Sequence, residues 1–119
     1  DTFYDDPLTN LHLSIFGYEK VLRKIRELAP QWVALGGGGY NISNVARGWT
    51  LAWAVMNGVE LREDLPESFS EEAEKKGVRE RELRGRPENS PPGPNEENRR
   101  EVERVVHYIK EKIFPKVRR

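Results

Sequence analysis

No cysteine occurs in the chain, so disulfides and thiolate metal sites are excluded and the redox compartment stays open. There is no run of about 18 apolar residues to cross a membrane. Nor is a signal peptide recognisable, so a soluble, cytoplasmic protein is the expectation. A surplus of one charge is missing too. Twenty acids balance twenty bases, and without a basic excess there is no reason to expect nucleic acid as a partner. His12 and His107 are far apart and lack ligand-spaced partners, so both are read as structural. Apolar residues make up 36% and charged residues 34% of the 119, which leaves one domain, or a piece of one, with a modest core. No internal repeat is present.

What the chain does contain is unevenly placed. Residues 1–59 carry five acids and five bases, whereas residues 60–119 carry fifteen of each. The first half is expected to build the core and the second to coat it. Within the first half a short apolar run, residues 32–35, meets four glycines, Gly36 to Gly39, and Tyr40 comes next. This reads as strand, tight turn, helix. Four residues without a β-carbon permit positive φ and close approach of another chain or a ligand, so Tyr40 is expected at a crowded, water-poor spot. In open α/β sheets ligands sit beyond the carboxyl ends of the strands, which makes this turn a site candidate.

The flanking segments keep helical spacing. Ile15, Tyr18, Val21, Leu22, Ile25 and Leu28 fall on one face of a helix that Ala29 and Pro30 end. Asn41, Ser43 and Asn44 offer caps for a second helix that is apolar nearly all round, with Trp49 and Trp53 in it and Asn57 and Gly58 as its stop. Such a helix must be buried on most sides, so it expects neighbours that this chain does not supply. Ser68 and Glu71 fit a capping box for a short helix that Gly77 closes. Residues 79–95 read as a mobile, proline-rich surface linker. Asn95 then opens a final helix whose stripe of Val102, Val105, Val106, Ile109 and Ile113 is expected to dock on the core and to stop near Phe114 and Pro115.

On residues alone the glycine turn keeps more than one reading. It fails as a dinucleotide fingerprint because Asn41 stands where a third glycine is needed, and no Lys-Ser or Lys-Thr succeeds it as in a phosphate-binding loop. A plain tight turn between packed elements remains, as does a turn that holds a nucleotide phosphate. Asp1, Asp5 and Asp6 could serve a metal, but acids clustered in a turn are usually just solvated. By itself the chain shows no complete catalytic set.

Residues 1–61 resemble the C-terminal part of the zinc-dependent deacetylase family, which includes histone deacetylases, acetoin-utilisation proteins and acetylpolyamine amidohydrolases. The matching stretches are Asp1 and Thr2 with Asp6, Pro7 and Leu8; Asn10 to Ser14; Leu35 through the glycines to Asn41; and Asn44 to Thr50. Val105 to Lys110 is similar to the family's closing helix. The resemblance implies an α/β fold, the C-terminal portion of an arginase/deacetylase-like parallel sheet flanked by helices, mostly helical within this segment. It divides the chain into residues 1–61 as part of the catalytic domain, 62–95 as a charged surface loop with a short helix, and 96–119 as a docking helix.

The same resemblance implies roles. Asp1, 39 residues before Tyr40, matches a zinc ligand. Tyr40 matches the tyrosine that donates its hydroxyl to the scissile acetyl carbonyl, and a preorganised donor of that kind can be worth about 3 kcal/mol. Leu8 matches a residue lining the acetyl-lysine tunnel, and Gly38 and Gly39 would let the tunnel wall approach the substrate. The family's other zinc ligands and its paired histidines lie upstream of this segment, and His12 stands where relatives carry asparagine. Pro7 and Ser43 occupy positions where corepressor-bound eukaryotic relatives grip inositol phosphate with arginines, so that partnership is not expected. The high Glu, Arg and Lys content without cysteine leans prokaryotic.

The expectation is therefore the C-terminal portion of a deacetylase of the acetoin-utilisation type, acting on acetyl-lysine or similar acetylamides. Zn2+ would bind only with upstream ligands, so the segment would be inert on its own and would need the N-terminal catalytic portion as its partner. The alternative is a non-catalytic module, or a split-chain partner that completes an active site with another polypeptide.

Overall fold

The computed structural model describes residues 1–9, 11–29, 31–85 and 93–117. Helix α1 (Ile15–Leu28) starts at Ser14, whose hydroxyl accepts from the Gly17 N–H at 3.0 Å, and ends as Ala29 turns extended; Pro30, expected as part of its stop, lies outside the described residues. Helix α2 (Ile42–Asn57) is capped by Asn41, which accepts from the Asn44 N–H at 3.2 Å, and is closed by Gly58 in the left-handed region at φ 70°. The two helices pack on each other. Ile15 and Leu51 meet Leu83 in one apolar cluster, and Leu22, Ala52 and Val55 form a second with Tyr18 and Trp32 at its edge. The Phe3 ring meets Tyr18 edge-on at 5.1 Å, against Gly48 of α2.

Beyond this seam the expected burial is only half met. On α1, Val21, Ile25 and Leu28 remain exposed although they share the apolar face. On α2, Trp49 is 52% and Trp53 57% exposed. Residues 32–35, expected as a parallel strand, form no strand and pair with no neighbour among the described residues, and Val33 and Leu35 lie open to solvent. Among the described residues there is no strand, only two isolated bridges, Phe3 with Leu13 and Asp64 with Glu82. A parallel strand needs a ladder of neighbours, and no described segment provides one here.

Residues 79–85, expected as the start of a mobile surface linker, are instead tied back onto residues 63–65. Leu65 donates its backbone N–H to the Arg81 carbonyl at 3.0 Å, and Leu83 donates to that of Glu63 at 2.7 Å. This places Leu83, 3% exposed, between Ile15 and Leu51. Helix α3 (Glu67–Lys75) spans the gap. The expected capping box does not form: the helix begins at Glu67, ahead of Ser68, and no side chain caps it. Pro66 suits the entry because its ring fixes φ, here at −55°, and it has no N–H to satisfy. Gly77 comes after the helix at φ 79°, as the expected stop.

Charge then locks the strap. Arg84 donates to Glu19 at 2.6 and 3.0 Å and to Glu63 at 2.7 Å, while Arg23 donates to Glu19 Oε1 at 2.9 and 2.7 Å. The Arg84 hydrogen bond, opposed by burial and aided by Arg23, holds the Glu19 pKa down to about 2. Buried Arg47 donates to the Ser43 carbonyl, to Asn44 Oδ1 at 2.7 Å and to the Glu82 and Leu83 carbonyls, joining α2 to the strap. The central part of the expected linker, residues 86–92, lies outside the described residues.

Helix α4 (Glu96–Tyr108) begins at Asn95, as expected. It does not dock: none of its residues is buried, and Val102, Val105 and Val106 are exposed. Nor does it stop at Phe114. A π-helical turn (Ile109–Ile113) leads into a final turn, α5 (Phe114–Val117), which contains Pro115. A proline ring clashes with the carbonyl four residues back, and the widened turn is where the helix makes room. Among the described residues no helix is long and apolar enough to cross a membrane.

Candidate functional site

The glycine turn is shaped by what lies against it. A β-carbon on Gly36 would fall 1.4 Å from the Trp49 ring, so the backbone rests on the first turns of α2. Gly38 and Gly39 adopt φ of 70° and 85°, a region that side chains rarely enter. The Asp1 carboxylate packs on Gly38, where an added β-carbon would meet its Cγ at 3.2 Å, and one on Gly39 would strike Val45 at 2.6 Å. Asp1, Gly38 and Gly39 thus come together at the mouth of the turn that leads to Tyr40. Leu8 belongs to the same locality through its backbone, which shares an acceptor with that of Tyr40. Tyr40 itself is 55% exposed, not crowded and dry as expected, because the described chain covers only one side of the turn.

The group that organises this corner is Asp6. Its Oδ2 accepts from the Tyr40 N–H at 2.8 Å and its Oδ1 from the Leu8 N–H at 2.9 Å. Burial would raise the pKa of Asp6, but the N–H groups of Tyr40, Leu8 and Asn41 outweigh it and set the carboxyl below its ordinary value. Asn44 adds a second tie, donating from Nδ2 to the Tyr4 carbonyl at 2.9 Å. Between these ties Asp5 takes a left-handed φ of 63°, and Thr9 closes the loop by donating to the Asp1 carbonyl. In the sequence Asp6 reads as a solvated turn acid. Its one signal there is the pairing of an aspartate with a proline inside the matched stretch, since its partner is 34 residues away.

A separate polar cavity of about 580 Å³ lies between Tyr4, Ser43, Asn44, Arg47, Arg79 and Arg84. Asp1, Leu8 and Tyr40 do not line it. The buried Ser43 hydroxyl has no hydrogen-bond partner among the described residues. His12, in a left-handed conformation at φ 54°, meets the Tyr4 ring edge-on at 5.3 Å and is exposed.

Catalytic zinc needs about three protein ligands. Among the described residues no group of three or more His, Asp or Glu is arranged to hold a metal ion. Asp1 alone does not make a site, so the residues present do not fit zinc by themselves.

The histone deacetylase domain model matches residues 1–56. The acetoin utilization protein AcuC of Bacillus subtilis is 40% identical over 72 residues, covering 56% of this chain and 19% of that protein. Histone deacetylase 7 of Arabidopsis thaliana is 39% identical over 66 residues, 56% of this chain and 16% of its own length. Histone deacetylase 6 of the same plant is 42% identical over 66 residues, again 56% of this chain and 14% of its own. The chain thus spans less than a fifth of the length of these curated relatives. No solved structure matches it. The matched stretch holds Asp1, Asp6, Leu8, the glycine turn, Tyr40 and nearly all of α2, and through these residues the segment 1–56 matches the histone deacetylase family, to which it is similar as it is to AcuC.

Proposed function

We propose that residues 1–61 are the C-terminal part of a zinc-dependent deacetylase domain of the acetoin-utilisation type, which hydrolyses acetyl-lysine or a similar acetylamide. One observation carries the reading: the Asp1 carboxylate rests on Gly38 while Asp6 fixes the Tyr40 backbone. A candidate ligand and a candidate hydrogen-bond donor thereby converge on one turn. Tyr40 would give its hydroxyl to the substrate carbonyl as negative charge develops there. Leu8 would line the substrate's apolar stem, and Gly38 and Gly39, with no side chains, would leave it room. The further zinc ligands and the proton-transfer groups belong to residues outside these, so the 119-residue chain alone is inert. Exposed Trp49, Trp53, Val33 and Leu35 are the surface on which the remainder of the domain would rest.

Tyr40→Phe in the zinc-loaded protein is expected to lower kcat by about 10²- to 10³-fold with zinc content unchanged, the usual loss on removal of one oxyanion donor. Parental kcat in that variant would remove Tyr40 from the mechanism.

A second reading is favoured by the same open surface. The chain would be a split-chain partner that completes an active site with another polypeptide. Molar mass and zinc content measured together separate the two. One species heavier than 13.8 kDa with zinc supports the single chain, and a stoichiometric pair with zinc supports the split one.

A further inference from the structure

We infer that Asp6 is a positioning residue: its two carboxylate oxygens lock the Tyr40 turn to the Leu8 loop, so that the donor and the wall of the substrate channel are set as one unit. This rests on the reading of Tyr40 as the donor and extends it to a residue that touches no substrate. The geometry is specific. One oxygen takes the Tyr40 N–H at 2.8 Å across 34 residues of sequence, and the other takes the Leu8 N–H at 2.9 Å two residues on. The side chain is buried in the fold, where an acceptor with two occupied oxygens is hard to replace by water. Gly38 and Gly39 immediately before Tyr40 have no side chains to stiffen the turn, and both sit at positive φ. The Tyr40 backbone is therefore held at its own N–H. Asparagine keeps the shape of Asp6 but offers one acceptor, so one of the two N–H groups would face another donor.

In the zinc-loaded protein, Asp6→Asn is expected to lower kcat by about 10- to 100-fold, as misplacing a catalytic group by an ångström does, with KM within about twofold and zinc content unchanged. Asp6→Ala, which frees both N–H groups, is expected to lose more. A double-mutant comparison distinguishes positioning from general damage. Added to Tyr40→Phe, Asp6→Asn should cause no further loss, because it acts through the hydroxyl already removed. Amide hydrogen exchange gives a readout independent of turnover: the Tyr40 and Leu8 amides of Asp6→Ala should exchange about tenfold faster, while those of α1 keep their protection. Parental kcat in both Asp6 variants, or a full additional loss on the Tyr40→Phe background, overturns the positioning role and leaves Tyr40 as the donor. Parental kcat in Tyr40→Phe itself overturns the donor reading and the positioning role with it.

Discussion

One side of α2 is sealed by this chain, with Leu51, Ala52 and Val55 pressed against α1 and Leu83 plugging the seam, while the opposite side leaves Trp49 and Trp53 in solvent. Both sides are apolar, so hydrophobicity alone does not explain the contrast. What differs is the supply of partners. The sealed side is completed by a strap that brings its own charges, pairing Arg84 with Glu19 and Glu63 and buried Arg47 with strap carbonyls. On the open side Trp49 lies against Gly36 of the glycine turn, so the candidate site sits at the edge between finished and unfinished surface.

The comparison breaks most sharply at Leu51. At 1% exposed, Leu51→Ala is expected to cost about 3 kcal/mol in denaturant unfolding of the chain, the usual range for a buried leucine. Glu19→Gln comes next, at about 2 kcal/mol, because it leaves Arg84 and Arg23 without their shared carboxylate. The same pair sets a pH dependence. Glu19 is held at about 2 against an ordinary 4.5, so its contribution is complete above about pH 4.5 and is lost as pH falls toward 2. Solvent around half-exposed Arg23 limits that contribution to about 1–2 kcal/mol. Acid titration of parent and Glu19→Gln should therefore converge at low pH. The smallest effect is expected on the open side. Trp53→Gln should change the stability of the 119-residue chain by less than about 0.5 kcal/mol, whereas in a complete deacetylase domain it should cost about 3 kcal/mol or more. Equal effects in both settings would mean that nothing covers this face.

Elements with local causes were legible in the sequence, and elements with distant causes were not. Asn41 and Gly58 bracket α2 because a cap and a left-handed stop act within a few residues, and Asn95 marks α4 in the same way. The strand expected at residues 32–35 rests on its apolar run, but a strand exists only through its neighbours, and none of the described segments pairs with it. Leu83 is hidden in a charged stretch, because its burial depends on Arg84 and on the backbone pairing with Glu63 rather than on any apolar pattern around it. At the site, the glycine turn announces itself through composition. Asp6 does not, since a carboxylate that serves two backbone N–H groups looks from sequence like any other acid in a turn.

The wide turn near the end of the chain acts as a phase correction. Phe114 donates its backbone N–H to the Ile109 carbonyl, five residues back, so one extra residue is taken up where an ordinary turn would place Ile113 beneath Ile109. An extra residue rotates the next part of the helix by about 100°, which brings Phe114 into line below Ile109 and continues the stripe of Val102, Val105 and Val106. From Val102 to Val117 this gives an apolar line of about 22 Å. A single-residue deletion within 110–113 would bring Phe114 four residues after Ile109, so an ordinary turn would replace the wide one and keep Phe114 below Ile109.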